Sequence, residues 1–150
     1  MEEAKKKTIL EQTLDQWEID AQINRTEPGK ELLRIPVLHA KYTRLLTSNS
    51  LRVRMLNKDL IRARKIKFDY FGGRMDRDEL NQRGLPPFKY TLKNEVDKHV
   101  DADEEILKLQ TKKDLHEEMV SLCTSIIKEL NARTWQLRAF IDFERFIGGQ

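Results

Sequence analysis

The sequence predicts a mainly α-helical protein, built from long amphipathic helices joined by an irregular connection with room for one short strand. Three observations carry this. Charged residues make up 35% of the 150 positions and hydrophobic ones only 39%, and mean hydropathy is −0.68. That balance suits long thin helices better than a compact globule. Apolar residues recur at helical spacing over three long stretches, and glycines and prolines punctuate the chain at a few sharp points.

The first helix is expected from about residue 5 to 24, with Leu10, Leu14, Trp17 and Ala21 on one face. NRTEPGKE then reads as a linker, because Pro28-Gly29 signals a turn. The second helix is expected to begin near Pro36, whose missing N–H is harmless in a first turn. It should end near Gly72-Gly73, where glycine takes the left-handed cap conformation. Unbroken, it would run for roughly 50 Å. TSNS at 47–50 has poor helix propensity and is a candidate break. Pro86-Pro87 keeps helix out of the next region, where Phe88, Tyr90 and Leu92 alternate with Lys89, Thr91 and Lys93 and allow a short strand. The third helix opens at DADEE, with Asp101 or Asp103 as its cap and acids at the positive end of its dipole. It continues to Ile147 and stops at Gly148-Gly149.

The net charge of +3 conceals an uneven distribution. Residues 1–29 carry 4 Lys/Arg against 7 Asp/Glu, and residues 94–130 carry 5 against 10. Residues 30–77 carry 13 against 4, a net +9, so only the middle third attracts a polyanion. On a wheel of 100° per residue, Arg44, Arg54, Lys58, Arg62 and Lys65 share an arc of about 80°. Leu38, Tyr42, Leu45, Leu46, Val53, Leu56, Leu60 and Ala63 take the opposite side. A like-charge stripe costs about 0.2–0.5 kcal/mol per i,i+4 pair, which an anion seated on it would offset. Lys67 is out of register, on the apolar side, so either the helix bends before it or its stem snorkels. Arg64 and Arg74 complete the basic set. Phe68, Tyr70 and Phe71 point in three directions, so at least one ring is expected at the surface. Single strands are held by cations on phosphates and aromatic faces on bases, at about 1–3 kcal/mol per stacked base. Duplex readers need groove access and seldom need exposed rings. A solvated basic helix with its rings in the core is the plainer reading of the same residues.

No catalytic constellation is visible. His39, His99 and His116 are scattered and lack ligand spacing with Cys123. A single cysteine excludes an intrachain disulfide and favours a reducing setting. Asp76, Asp78 and Glu79 match neither a P-loop nor an EF-hand. A metal nuclease built on them is a minor alternative, which magnesium-dependent cleavage would reveal. The expectation is a non-enzyme with no cofactor and no metal. No run approaches the roughly 18 apolar residues of a membrane span, and the first residues do not read as a signal peptide, so a soluble cytosolic protein is expected.

The last helix has more apolar surface than one seam needs. Leu115, Met119, Val120, Leu122, Cys123, Ile126, Ile127 and Leu130 span an arc of about 160°. Leu137, Phe140 and Ile141 continue it, whereas Trp135, Ala139, Phe143 and Phe146 fall on the other side. Either the helix breaks near Asn131 or a second subunit covers one face. Self-association is expected, with Leu115, Met119, Leu122, Ile126, Leu130, Trp135, Phe140, Phe143 and Phe146 as candidate seam residues.

The segment ARKIKFDYFGGRMDRDE, residues 63–79, resembles a motif of the UvsY family of bacteriophage recombination mediators. That motif reads A-x-K-x-(R/K)-x-D-Y-(Y/F)-x-G-R and is followed by an acidic patch. Lys65, Lys67, Asp69, Tyr70, Gly73 and Arg74 match it position by position, and a weaker similarity reaches the RAFIDFE tail. The resemblance implies a single-stranded-DNA-binding protein that loads a phage recombinase of the UvsX type onto DNA coated by the phage single-strand-binding protein. It would serve homologous recombination, repair and recombination-dependent replication in the cytoplasm of the infected bacterial host. The resemblance also implies a ring-like homo-oligomer, a hexamer or heptamer, assembled through the C-terminal region. It places Lys65 and Lys67 at the family's DNA-binding positions. Lys67 stands where arginine is common, keeping the charge but losing the bidentate fork. On this reading the strand-binding residues are Arg44, Arg54, Lys58, Arg62, Arg64, Lys65, Lys67, Tyr70, Phe71 and Arg74. Residues 1–100, centred on 36–79, would bind DNA and residues 101–150 would assemble the oligomer, within one structural unit. The alternative is a structural or RNA-binding helical oligomer, which equal binding to single strands and duplex would favour.

Overall fold

A computed structural model describes residues 5–88 and 92–149. The helices are α1 (Ile9–Asp20), α2 (Pro28–Phe71), α3 (Arg77–Arg83), α4 (Val96–Asp101) and α5 (Glu104–Ile147). They are distributed over two compact units, one of residues 51–114 and one that pairs the chain up to 50 with the chain from 115 onward. This division differs from the expected boundary at 100/101. Both long helices pass through both units, so a cut in sequence order separates residues that pack together.

The unit containing both chain ends is built on α1, the first part of α2 and the last part of α5. Thr8 and Glu11 form a reciprocal capping box that starts α1. Leu38 and Tyr42 of α2 bury against Met119, Cys123, Ile126 and Leu130 of α5, with Leu10 and Trp17 of α1 alongside. The Trp17 ring meets Tyr42 edge-on at 5.5 Å. A polar cluster lies against this core. The buried Asp20 accepts hydrogen bonds from the Tyr42 hydroxyl (2.8 Å), Lys41 and Gln16. The buried Arg133 donates to the backbone carbonyls of Asp20 (3.3 Å) and Ala21 (3.0 Å), with its guanidinium over the Trp17 ring. Since α1 has no basic residue in its own last turn, Arg133 supplies from α5 the cation that helix end favours.

Two expectations for α2 are corrected here. The helix starts at Pro28, and Pro36 lies inside it. The first-turn argument holds, but it belongs to Pro28. TSNS does not break the helix: Thr47 Oγ1 donates to the Thr43 carbonyl (3.0 Å) and Asn49 Nδ2 to the Leu45 carbonyl (2.8 Å). Asn49 Oδ1 also lies 2.7 Å from His116 Nδ1. Packing decides both cases. Pro36 costs about 3 kcal/mol and four poor helix formers cost about 0.5–0.7 kcal/mol each. Tyr42, Met119, Ile126 and Leu130 are fully buried, and such side chains contribute about 1.5–3 kcal/mol each.

In the unit of residues 51–114, Leu60 and Ala63 of α2 pack with Val96 and Val100 of α4 and Ile106 of α5, flanked by Phe68, Phe71 and Leu109. Gly73 closes α2 at φ 70°, where Gly73 N–H bonds the Tyr70 carbonyl and Arg74 N–H the Asp69 carbonyl. Asp76 caps α3 through Glu79 N–H (2.8 Å). Of the two expected caps for α5, Asp103 serves, its Oδ1 accepting from Glu105 and Ile106 N–H. Among the described residues there is no strand. Part of the expected strand, residues 89–91, lies outside them.

Candidate nucleic-acid interface

From Leu51 to Phe71, α2 presents two faces. Leu56, Leu60 and Ala63 are buried, as the periodicity requires. Arg54, Lys58, Arg62 and Lys65 are exposed, and none has an ion-pair or hydrogen-bond partner among the described residues. Arg54, Lys58 and Arg62 follow at four-residue steps and Lys65 comes three residues later, so all four project from one side. Arg44, in the other unit, is likewise exposed and unpartnered. The wheel overlooked three residues. Leu51, Met55 and Ile61 are exposed large apolar side chains, and their angles put them among these cations.

The remaining cations of the set are engaged. Arg64 donates to Asp101 at 2.8 Å. The Lys67 ammonium lies 3.2 Å from Asp103 and 3.3 Å from Glu105. Helix α2 continues past Lys67 to Phe71, and, as the snorkelling alternative expects, the Lys67 stem carries its ammonium off the apolar side to two carboxylates. Burial pulls the Lys67 ammonium downward, but Asp103 and Glu105 outweigh it and hold its pKa above the usual lysine value, so it stays charged. The Arg74 guanidinium sits 5.2 Å from the centre of the Phe68 ring.

The aromatic residues gather instead of splaying. Phe68, Tyr70 and Phe71 are all half-buried. The Tyr70 hydroxyl donates to the Pro86 carbonyl (2.9 Å), and its ring tilts against Phe71 (5.1 Å) and Phe88 (5.5 Å). Phe71 stacks on His99 at 5.4 Å and meets Phe88 edge-on. The expectation of a ring standing free is corrected to a cluster with partly exposed rings. Three directions on a wheel lead to solvent only if nothing comes to meet them, and Phe88 and His99 do.

On α5, most of the candidate seam is already covered. Met119, Ile126 and Leu130 are buried in the chain's own core, and Leu122 packs against it. Leu115 and Phe140 are half-buried. These residues were expected at a seam between subunits because the wheel could not show that α2 and α1 cover their arc. The helix continues past Asn131, and Trp135 (73%), Phe143 and Phe146 (82%) remain exposed on its second face.

The acids weighed for metal chemistry are otherwise disposed. Asp76 caps α3, and Glu79 faces Arg83 at 3.7 Å. Among the described residues no group of three or more His, Cys, Asp or Glu could hold a metal ion. Burial pushes the Cys123 thiol up, which disfavours the thiolate. Among the described residues no helix is long and apolar enough to cross a membrane.

Comparison with known proteins bears on this interface. Residues 16–150 match the model of the UvsY family, described as a recombination, repair and ssDNA binding protein. Three crystal structures of the bacteriophage T4 recombination mediator protein UvsY share the fold, each at 21% identity. For lattice type II the TM-score is 0.82, over 95% of this chain and 99% of that one. Lattice type IV gives 0.80 over 93% and 99%, and lattice type I gives 0.76 over 93% and 98%. No curated protein matches the chain in sequence.

Proposed function

Because the chain belongs to the UvsY family, we propose that it is a recombination mediator that binds single-stranded DNA as an oligomer. It would load the phage recombinase onto strands already covered by single-strand-binding protein, in the cytoplasm of the infected host. The observation that carries this is the row of four exposed cations, Arg54, Lys58, Arg62 and Lys65, on one face of α2, none paired with a carboxylate among the described residues. Phosphates are the natural occupants of such a row. The apolar Leu51, Met55 and Ile61 and the partly exposed rings of Tyr70 and Phe71 give the bases something to lie on. The exposed Trp135, Phe143 and Phe146 favour assembly of several copies. One row per subunit binds weakly, and linked copies raise the affinity for a long strand by a factor of about 10²–10⁴. Strand held this way is withdrawn from the coat protein and offered to the recombinase by binding energy alone.

The test compares binding to a single-stranded oligonucleotide with binding to the duplex of the same length. It then asks whether the protein shortens the lag of recombinase assembly on coated strand. Preference for the single strand and a shorter lag are expected. Equal affinity for both forms, with no effect on the lag, would overturn the reading.

A further inference from the structure

We propose a phosphate subsite in the cleft between Lys67 and Arg83, which the carboxylate of Glu105 covers when no strand is bound. The inference rests on the strand-binding reading above and concerns how that site is occupied. Ala63, Ile66, Lys67, Arg83, Leu85 and Glu105 line a cleft of about 340 Å³ in the unit of residues 51–114. Two of its six lining side chains are cations from different helices, Lys67 on α2 and Arg83 on α3. The one anion is Glu105, in the first turn of α5.

The two carboxylates on Lys67 are not equivalent. Asp103 is fixed: its side chain is 15% exposed, Oδ2 holds Lys67, and Oδ1 caps α5 through two backbone N–H groups. The Glu105 side chain is 62% exposed, and its 3.3 Å contact with Lys67 is that side chain's one ion pair or hydrogen bond among the described residues. An ion pair with one partner in solvent contributes little, because water competes for it. Asp103 therefore neutralises Lys67 permanently in part, while Glu105 is replaceable. Lys67 leaves α2 on the side away from Arg54, Lys58, Arg62 and Lys65, but a strand seated on that row keeps its following phosphates tethered nearby at high local concentration, and one that turns past the end of the row can displace Glu105. The Arg83 guanidinium, 3.7 Å from Glu79 and more than a third exposed, adds a second donor to the same cleft.

The test uses the full chain and a fluorescent single-stranded oligonucleotide at fixed salt. Glu105→Gln should bind about two- to fivefold tighter than wild type, the gain expected from removing one exposed competitor ion pair. Glu104→Gln removes the same charge one residue away, from a side chain with no ion pair among the described residues, and should gain clearly less. The gain from Glu105→Gln should vanish when Lys67→Ala is combined with it and shrink with Arg83→Ala. Glu105→Ala serves as a second variant, and thermal melts of all proteins verify folding. Equal gains for both glutamates, or a gain that survives Lys67→Ala, would assign the effect to general charge and overturn the subsite. If wild type binds and Glu105→Gln binds no tighter, the subsite is wrong and the function stands. If none of the proteins binds the strand, both are wrong.

Discussion

Replacing Lys58 and Lys65 together with alanine should weaken DNA binding while leaving the fold as stable as before, or more so. The structure supplies both halves of this statement. Neither side chain has a partner among the described residues, so nothing in the fold loses a contact. The like-charge neighbours Arg54–Lys58, Lys58–Arg62 and Arg62–Lys65 each cost about 0.2–0.5 kcal/mol, so relieving them returns about 1 kcal/mol. Arg54 and Arg62 would remain, about 12 Å apart along the helix, roughly a Debye length at 0.1 M salt. Two lost phosphate contacts should lower the log–log slope of affinity against salt by about 1.4, at about 0.7 per contact for single strands. Fluorescence anisotropy across a salt series measures the slope, and a thermal melt of the same protein measures stability. An unchanged slope would remove these residues from the interface. A lower melting temperature would show that they support the fold and would undo the argument that an unneutralised stripe marks a binding face.

Three further outcomes follow from named contacts. Tyr70→Ala should lower single-strand binding by about 1–3 kcal/mol if the exposed part of the ring stacks on a base; an equal loss on abasic strands, with a lower melt, would return Tyr70 to the scaffold that its bond to Pro86 already describes. Asp20 is buried, which alone would raise its pKa, but bonds from Lys41, Tyr42 and Gln16 hold it below the ordinary carboxylate value. Its stabilising contribution is therefore present above about pH 4 and lost as pH falls through that lowered value, so the melting difference between wild type and Asp20→Asn should narrow in strong acid, and a difference that widens there would contradict the assignment. Phe143→Ser with Phe146→Ser should leave helicity unchanged, since both side chains are exposed, yet sediment as a smaller species with weaker long-strand binding; an unchanged size would place the assembly surface elsewhere.

The helical class and the three long stretches were legible because periodicity over many residues is a strong signal, and Gly72-Gly73 marked the end of α2 correctly. The start of α2 was not, because Pro28 and Pro36 carry the same local signal and only the burial of Glu31, Ile35, Leu38 and Tyr42 selects between them. The free row from Arg54 to Lys65 could be read from the wheel. The fate of Arg64 and Lys67 could not, since their partners Asp101, Asp103 and Glu105 lie more than thirty positions away, at the end of α4 and the start of α5. Arg133 was missed for the same reason: in sequence it is one more surface cation, and in the fold it closes the end of α1.

The two long helices divide their surfaces by the same logic. Each has a face that the chain covers itself: Leu56, Leu60 and Ala63 on α2, and Met119, Cys123, Ile126 and Leu130 on α5. Each also has a face with no cover among the described residues, cationic between Arg54 and Lys65 and aromatic between Trp135 and Phe146. Neither open face helps an isolated chain. The cations repel one another, and exposed aromatic surface costs about 25 cal/mol per Å² relative to its burial. Under the proposed function the two liabilities resolve each other. Burying the aromatic ends brings several cationic rows together, and several rows make a single strand worth gripping where one row does not. Dependence on strand length therefore belongs to the aromatic face and dependence on salt to the cationic one. Variants of the two faces should separate these dependences even though both weaken binding to a long strand.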